Sequence, residues 1–265
     1  MNKCLISIDL DGTLLRPDYS IGELTKSVIA SAQKEGHVVL LSSGRPLRSL
    51  LPHYRALKCI GPLSAYNGEL VRHPDNPACF PIIDPAFAKG DILSLFAGLE
   101  ERLSFFMGED GTTLVQNRYD ELLDRYFPVE GIAFSMAASL SSLPNGLKIF
   151  IFIADDETKN EVERRIADYP HLHFHAWKKQ PYCEITLSAC SKGTALLQAA
   201  AHYGIPKENT IAFGDSENDY PMLAASGHPF AMADSKSELL LQSFPATEKG
   251  NADDGVAFEL LKLLS

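Results

Sequence analysis

Short, uniformly apolar runs at residues 4–10, 37–42 and 63–66 alternate with amphipathic stretches at 21–34 and 47–57. Runs without polar alternation fit strands buried on both faces, and strands separated by helices pair in parallel. Glu35-Gly36 supplies a helix stop before the second run. The same rhythm returns towards the C-terminus, with a helix over 192–203, a strand over 210–213, a helix over 218–225, a short strand over 229–231 and a last helix through 252–264. Ile205-Pro206 marks the loop between the first two. This pattern predicts an α/β fold: a parallel sheet with helices on both faces.

Residues 84–187 follow another rhythm. It reads as a helix over 85–99, strands over 103–107 and 112–116, a helix over 119–126, an unpatterned stretch, a strand over 147–153, a helix over 156–169, and strands over 172–177 and 182–187. Adjacent strands joined by turn signals such as Gly108-Glu109-Asp110-Gly111 predict an antiparallel α+β unit. Pro74, Pro77, Pro81 and Pro85 crowd its start, and residues 188–191 form its exit. The expected organisation is a parallel-sheet core from 1–83 and 188–265, with 84–187 inserted as a second domain.

With 265 residues and 45% apolar content, the chain can bury a sizeable core. A net charge of -10 lacks the basic footprint of a general nucleic-acid or anionic-membrane binder, so neither partner is expected. The apolar run after Met1-Asn2-Lys3 is broken by Asp9 before it reaches export-signal length, and the run over 149–154 has the length of a buried strand. A cytoplasmic protein is expected. Five scattered cysteines (Cys4, Cys59, Cys79, Cys183, Cys190) form no CxxC pair, which suggests neither zinc ligands nor disulfides, and most of them are expected to be packed thiols. Helical periodicity does not separate a monomer from a homodimer.

The candidate chemistry sits at predicted strand ends and one helix start. Asp9 and Asp11 end the first strand, where residues i and i+2 share a side unless a turn redirects the second, and Gly12 permits a sharp turn after them. Alone, Asp-Leu-Asp-Gly reads equally as a solvated turn. However, Ser42-Ser43-Gly44-Arg45 follows the second strand, Lys192-Gly193 opens a helix, and Gly214-Asp215-Ser216-Glu217-Asn218-Asp219 follows the strand over 210–213. Open α/β sheets bind ligands at the carboxyl ends of their strands. Two carboxylate clusters, a hydroxyl and an ammonium gathered there suit phosphoryl transfer, and hard oxygen ligands suit Mg²⁺.

Each residue also has a plainer reading. Lys192 fits a solvated lysine, Asp219 a helix cap, Asn67-Gly68 a hairpin turn, and Arg45 either a structural ion pair or a phosphate-bearing pocket. Ser42 competes with Ser43 for the hydroxyl role. His171, His173 and His175 alternate along one predicted strand, where half-exposed neutral histidines are commoner than a metal site, and Trp177 reads as a packing residue.

Together these elements resemble the haloacid dehalogenase superfamily of aspartate-nucleophile phosphatases. The resemblance runs through DLDGTLL (9–15), SSGRP (42–46), YNGELV (66–71), SKGTAL (191–196), GDSENDYPML (214–223) and DGVA (254–257). The large insert and the YNG element are similar to the Cof-like subgroup with a C2B cap. That resemblance implies a Rossmann-like core, a mobile cap and a Mg²⁺-dependent phosphatase for small phosphorylated metabolites, sugar phosphates first, with phosphorylated cofactors also in view. It implies Asp9 as nucleophile and Asp11 as acid and base, its proton held tightly by a neighbouring carboxylate. It further implies Ser43 and Lys192 at the phosphoryl group, and Mg²⁺ held by Asp9, the Asp11 carbonyl and Asp215, with Asp219 as a ligand or an outer orienter. Gly44, Arg45, Asn67 and Asn218 would contact substrate. Met232-Ala233-Asp234-Ser235 stands where the subgroup often has Met-Gly-Asn-Ala, which affects loop shape rather than the chemistry. A phosphomutase of the same superfamily and a phospho-receiver module are the alternative functions.

Overall fold

Leu5, Val38, Leu40 and Ala212 pack into one apolar cluster, while Ile6, Ile8, Val39, Leu41, Ile211 and Phe213 pack into another. Neighbours in sequence thus face opposite sides of one sheet, as the pleat requires, and both sides are buried. The protein's structure is a computed structural model describing residues 3–177 and 180–264. Met1 and Asn2, the head of the run weighed as a leader, lie outside the described residues. The chain divides into two compact units, Met1–Ile83 with Cys190–Ser265, and Asp84–Ala189.

In the first unit the strands run in the spatial order His228–Ala231, Thr210–Gly214, Leu5–Asp9, Val38–Ser42, Leu63–Ala65, Leu70–Arg72. The first five are parallel, and Leu70–Arg72 returns antiparallel to Leu63–Ala65. Helix Glu23–Lys34 buries Val28, Ile29 and Ala32 on one side of the sheet, together with Val256, Ala257 and Leu260 of Gly255–Leu263. Helices Lys192–Tyr203 and Tyr220–Ala225 cover the other side with Ala195, Leu196, Met222 and Leu223. The α/β expectation therefore holds. Register pairs Asp9 with Ser42, and Ile8 with Phe213, so three strand ends lie side by side where the chain order reverses.

In the second unit a six-stranded sheet has the order Leu172–Ala176, Cys183–Leu187, Ile149–Ala154, Leu103–Glu109, Thr113–Gln116, Ala133–Met136. All its pairings are antiparallel except the last. Helices Lys89–Leu95 and Asp156–Arg165 contribute Ile92, Leu95 and Val162 to a cluster on one face with Phe106, Phe150, Phe152 and Ile185.

Several elements differ from the pattern-based expectation. Ala133–Met136 is a strand inside the stretch that showed no pattern, and all four residues are exposed. Backbone pairing to Thr113–Gln116 holds it, so it carries no buried face for periodicity to reveal. The helix expected over 85–99 spans only Lys89–Leu95, and it starts late because Phe87–Ala88 pairs with Gly146–Leu147. Leu70–Arg72 and helix Glu238–Ser243 are too short to stand out as pattern.

Among the described residues no helix is long and apolar enough to cross a membrane. Cys4, Cys59 and Cys183 are buried and unbridged, and burial pushes the Cys59 thiol up to about 12 and that of Cys183 to about 11, as in packed thiols. His171 meets Asp91 at 2.9 Å, and the only acidic or histidine group with metal-holding spacing among the described residues lies elsewhere. Trp177 does more than pack, since its indole N–H donates to Glu184 Oε2 at 2.9 Å.

Candidate active site

Asp9 is the last residue of its strand and is buried, so its carboxylate needs a partner. It finds one in Lys192, whose Nζ lies 2.5 Å from Asp9 Oδ1 and 2.6 Å from Asp219 Oδ1. Lys192 is only 1% exposed, which excludes the solvated reading. It opens helix Lys192–Tyr203, where Ser191 and Thr194 form a reciprocal cap: Ser191 Oγ accepts from Thr194 N at 3.0 Å, and Thr194 Oγ1 accepts from Ser191 N at 2.9 Å. A cation at a helix N-terminus opposes the macrodipole, and two carboxylates outweigh that here.

Asp219 fits its capping reading and also meets the lysine. Its Oδ2 accepts from the backbone N–H groups of Asp215 and Ser216 at 2.9 and 3.0 Å, which fixes the turn after Thr210–Gly214, while Oδ1 reaches Lys192. Asp215 then projects beside Asp9. Each of Asp9, Asp215 and Asp219 offers an oxygen within 4.8 Å of the others. Gly12 adopts φ 76°, and a Cβ there would collide with the Asp215 carboxylate, so this glycine is required by both backbone and space.

Crowding shows in the proton affinities. Burial, then Asp219, raises the Asp9 pKa well above the carboxylate range, with Asp215 and Asp11 adding to it and Lys192 only partly opposing it. Burial, then Asp219, lifts Asp215 to about 7. Burial pulls Lys192 down, but Asp219 and Asp9 more than reverse this and leave it raised. Three carboxylates against one ammonium leave negative charge uncompensated when all are ionised. An all-oxygen set with that deficit fits a hard divalent cation such as Mg²⁺.

Asp11 has an ion pair of its own. Its two oxygens meet the Arg45 guanidinium, with Nε donating to Oδ2 at 2.7 Å and Nη2 to Oδ1. This ion pair is a contact that the sequence left open for Arg45, and the Leu10–Leu14 turn carries Asp11 to it. Ser43 is buried, and its Oγ accepts from Arg45 N at 3.2 Å, leaving its O–H free to donate. Ser42 Oγ is sealed in the sheet with no hydrogen-bond partner among the described residues, so of the two serines Ser43 is the better placed for a ligand.

Asn67 and Asn218 come together, Asn218 Nδ2 donating to Asn67 Oδ1 at 3.0 Å, and Gly44 lies against the Asn67 amide. The YNG element is more than a hairpin turn. Tyr66, Asn67 and Gly68 all have positive φ, and a Cβ on Gly68 would stand 2.3 Å from the carbonyl oxygen of Ser191, so the turn presses on the start of the Lys192 helix. Ser235 was missed by sequence reasoning: its Oγ donates to the Asp215 carbonyl at 2.5 Å and accepts from Ser237 N at 3.0 Å, pinning the loop behind Asp215. Its only sequence signal is the unusual Met232-Ala233-Asp234-Ser235 run. Asp234, where the subgroup often has Asn, accepts from Asn251 N at 3.1 Å instead.

A family model described as haloacid dehalogenase-like hydrolase matches residues 6–260. The Bacillus subtilis (strain 168) protein 5-amino-6-(5-phospho-D-ribitylamino)uracil phosphatase YitU is 27% identical over 264 residues, covering 96% of this chain and 94% of its own. The HMP-PP phosphatase of Cronobacter sakazakii (strain ATCC BAA-894) is 25% identical over 239 residues, covering 89% of this chain and 86% of its own. A crystal structure of a haloacid dehalogenase-like hydrolase from Bacteroides thetaiotaomicron shares the fold, with TM-score 0.81 at 20% identity over 99% of this chain and 100% of that one. The chain belongs to the haloacid dehalogenase-like hydrolase family, as one of its phosphoric monoester hydrolases.

Proposed function

We propose that the protein is a Mg²⁺-dependent phosphatase that hydrolyses small phosphorylated metabolites, sugar phosphates foremost, through an aspartyl-phosphate on Asp9. The observation that carries this reading is the buried contact of Asp9 with Lys192 beside Asp215 and Asp219. A carboxylate with an ammonium at hand can accept a phosphoryl group whose oxygens that ammonium then neutralises.

In the first step an Asp9 oxygen attacks phosphorus, the ester P–O bond breaks, and its electron pair leaves on the alkoxide, which takes a proton from Asp11. In the second, water attacks phosphorus and gives its proton to Asp11, the bond from phosphorus to Asp9 breaks, and inorganic phosphate departs. The Ser43 hydroxyl donates to a phosphoryl oxygen, and Lys192 offsets the charge that grows there. Asp9, the Asp11 carbonyl and Asp215 would hold Mg²⁺, with Asp219 orienting Asp215 and Lys192 from behind. Bound there, the cation supplies positive charge that lets an anionic nucleophile approach an anionic ester. Asn67, Asn218 and Gly44 would steady the substrate. A phosphorylated sugar-alcohol chain, as named for the B. subtilis relative, is consistent with this class.

The test is phosphate release by the purified chain from a panel of phosphorylated metabolites, with Mg²⁺ and with chelator, alongside Asp9→Asn. Turnover should require Mg²⁺ and vanish in the variant while the circular dichroism spectrum stays unchanged. A variant that keeps its rate rejects the mechanism, and phosphate returned to sugar rather than released would indicate a mutase.

A further inference from the structure

Arg45 grips Asp11 at two points, Nε on Oδ2 at 2.7 Å and Nη2 on Oδ1. The arginine side chain is 10% exposed and the aspartate 33%, so the pair is partly shielded from water. Arg45 is itself fixed by its backbone: its N–H donates to Ser43 Oγ at 3.2 Å, and its carbonyl accepts from Tyr66 N at 3.1 Å. A planar guanidinium fork meeting a carboxylate edge-on determines both the position and the plane of that carboxylate.

We infer that Arg45 is a positioning residue that acts through Asp11, holding its carboxylate in the orientation from which it exchanges protons. The inference rests on the phosphatase reading above. The fork occupies one lone pair on each Asp11 oxygen and leaves a second on each, so orientation is imposed without blocking the proton-exchanging sites. The fork uses Nε and Nη2 of Arg45, so its grip on Asp11 stands whatever its remaining N–H groups meet. Lysine cannot reproduce the fork, since its ammonium is a point charge on a flexible stem.

Positioning of Asp11 and contact with phosphate separate by leaving group, because kcat/KM covers only the steps through release of the alcohol. An alkyl phosphate needs its leaving oxygen protonated, whereas para-nitrophenyl phosphate hardly does. Positioned general acid–base catalysis is worth about 10²–10⁴-fold, so Arg45→Gln and Arg45→Lys should each lower kcat/KM for the alkyl phosphate by roughly 30- to 100-fold while the aryl ester changes by less than about threefold. Inhibition by inorganic phosphate should be unchanged. In an Asp11→Asn background, Arg45→Gln should add nothing further on the alkyl ester.

Equal losses on both esters with weakened phosphate inhibition, or rescue by lysine, would overturn the inference in favour of a phosphate ligand. No loss on either ester would overturn it as well. Melting curves of both variants guard against misfolding, and the two substitutions back each other. A wild-type chain that releases phosphate from neither ester, or an Asp9→Asn variant that still does, marks failure of the phosphatase reading instead.

Discussion

A Cβ on Gly12 would lie 2.5 Å from Oδ2 of Asp215, so the turn after the first strand admits that carboxylate only because residue 12 has no side chain. With φ at 76°, alanine there also meets backbone strain of about 1–2 kcal/mol. Gly12→Ala should therefore displace Asp215, weaken Mg²⁺ binding and lower turnover by more than its loss of stability explains. Mg²⁺ titration followed by calorimetry, set beside urea unfolding, checks this, and unaltered Mg²⁺ affinity would refute the steric account.

Lys192→Met should destabilise the cation-free protein strongly at neutral pH. Removing one partner of a buried pair costs about 3–5 kcal/mol, because Asp9 and Asp219 lose their shared ammonium. Urea unfolding at pH 7.5 and pH 5 should show a smaller loss at the lower pH, where protonated carboxyls no longer need a cation. A loss independent of pH would argue for packing of the lysine stem alone.

Without a divalent cation, stability should fall as pH rises between the ordinary aspartate value of 3.8 and about 7. In that window burial and Asp219 keep Asp215 protonated in the native state while the unfolded chain has already released the proton, so folding holds the extra proton and loses by its removal. Each proton so held contributes a slope of up to about 1.4 kcal/mol per pH unit, and Asp9, raised as well, adds to that of Asp215. Saturating Mg²⁺ should flatten the profile, and Mg²⁺ affinity should weaken as pH drops below about 7 through competition with protons. Melting temperatures across pH 4–8 with chelator and with Mg²⁺ test both, and a profile that rises with pH in chelator would contradict the crowded-carboxylate picture.

Asp254 ties the last helix to the first. Its Oδ2 accepts from Arg16 Nη2 at 2.6 Å and its Oδ1 from Thr25 Oγ1 at 2.7 Å, and it holds φ 57° at the helix start. Asp254→Ala should lose about 2–3 kcal/mol from charge-assisted bonds. Asp254→Asn, which tolerates the left-handed backbone, should lose less. Guanidinium unfolding of the two variants gives the comparison, and equal losses would mean that backbone conformation contributes nothing.

The pattern of apolar runs was enough to read the parallel sheet, its covering helices and the inserted unit, because burial on both faces of a strand and amphipathic spacing along a helix are local properties of sequence. Helix Lys192–Tyr203 and strand Thr210–Gly214 lie within a residue of their expected limits. Ala133–Met136 escaped, since backbone pairing leaves no trace in side-chain pattern. The residue types for phosphoryl transfer were equally visible at strand ends, but their partners were not. Whether Lys192 met water or two carboxylates, and which cation Asp11 paired with, depended on strand order, on the missing Cβ of Gly12 and on the turn that carries Asp11. Such choices are made by distances between segments far apart in the chain, and only the folded structure brings those segments together.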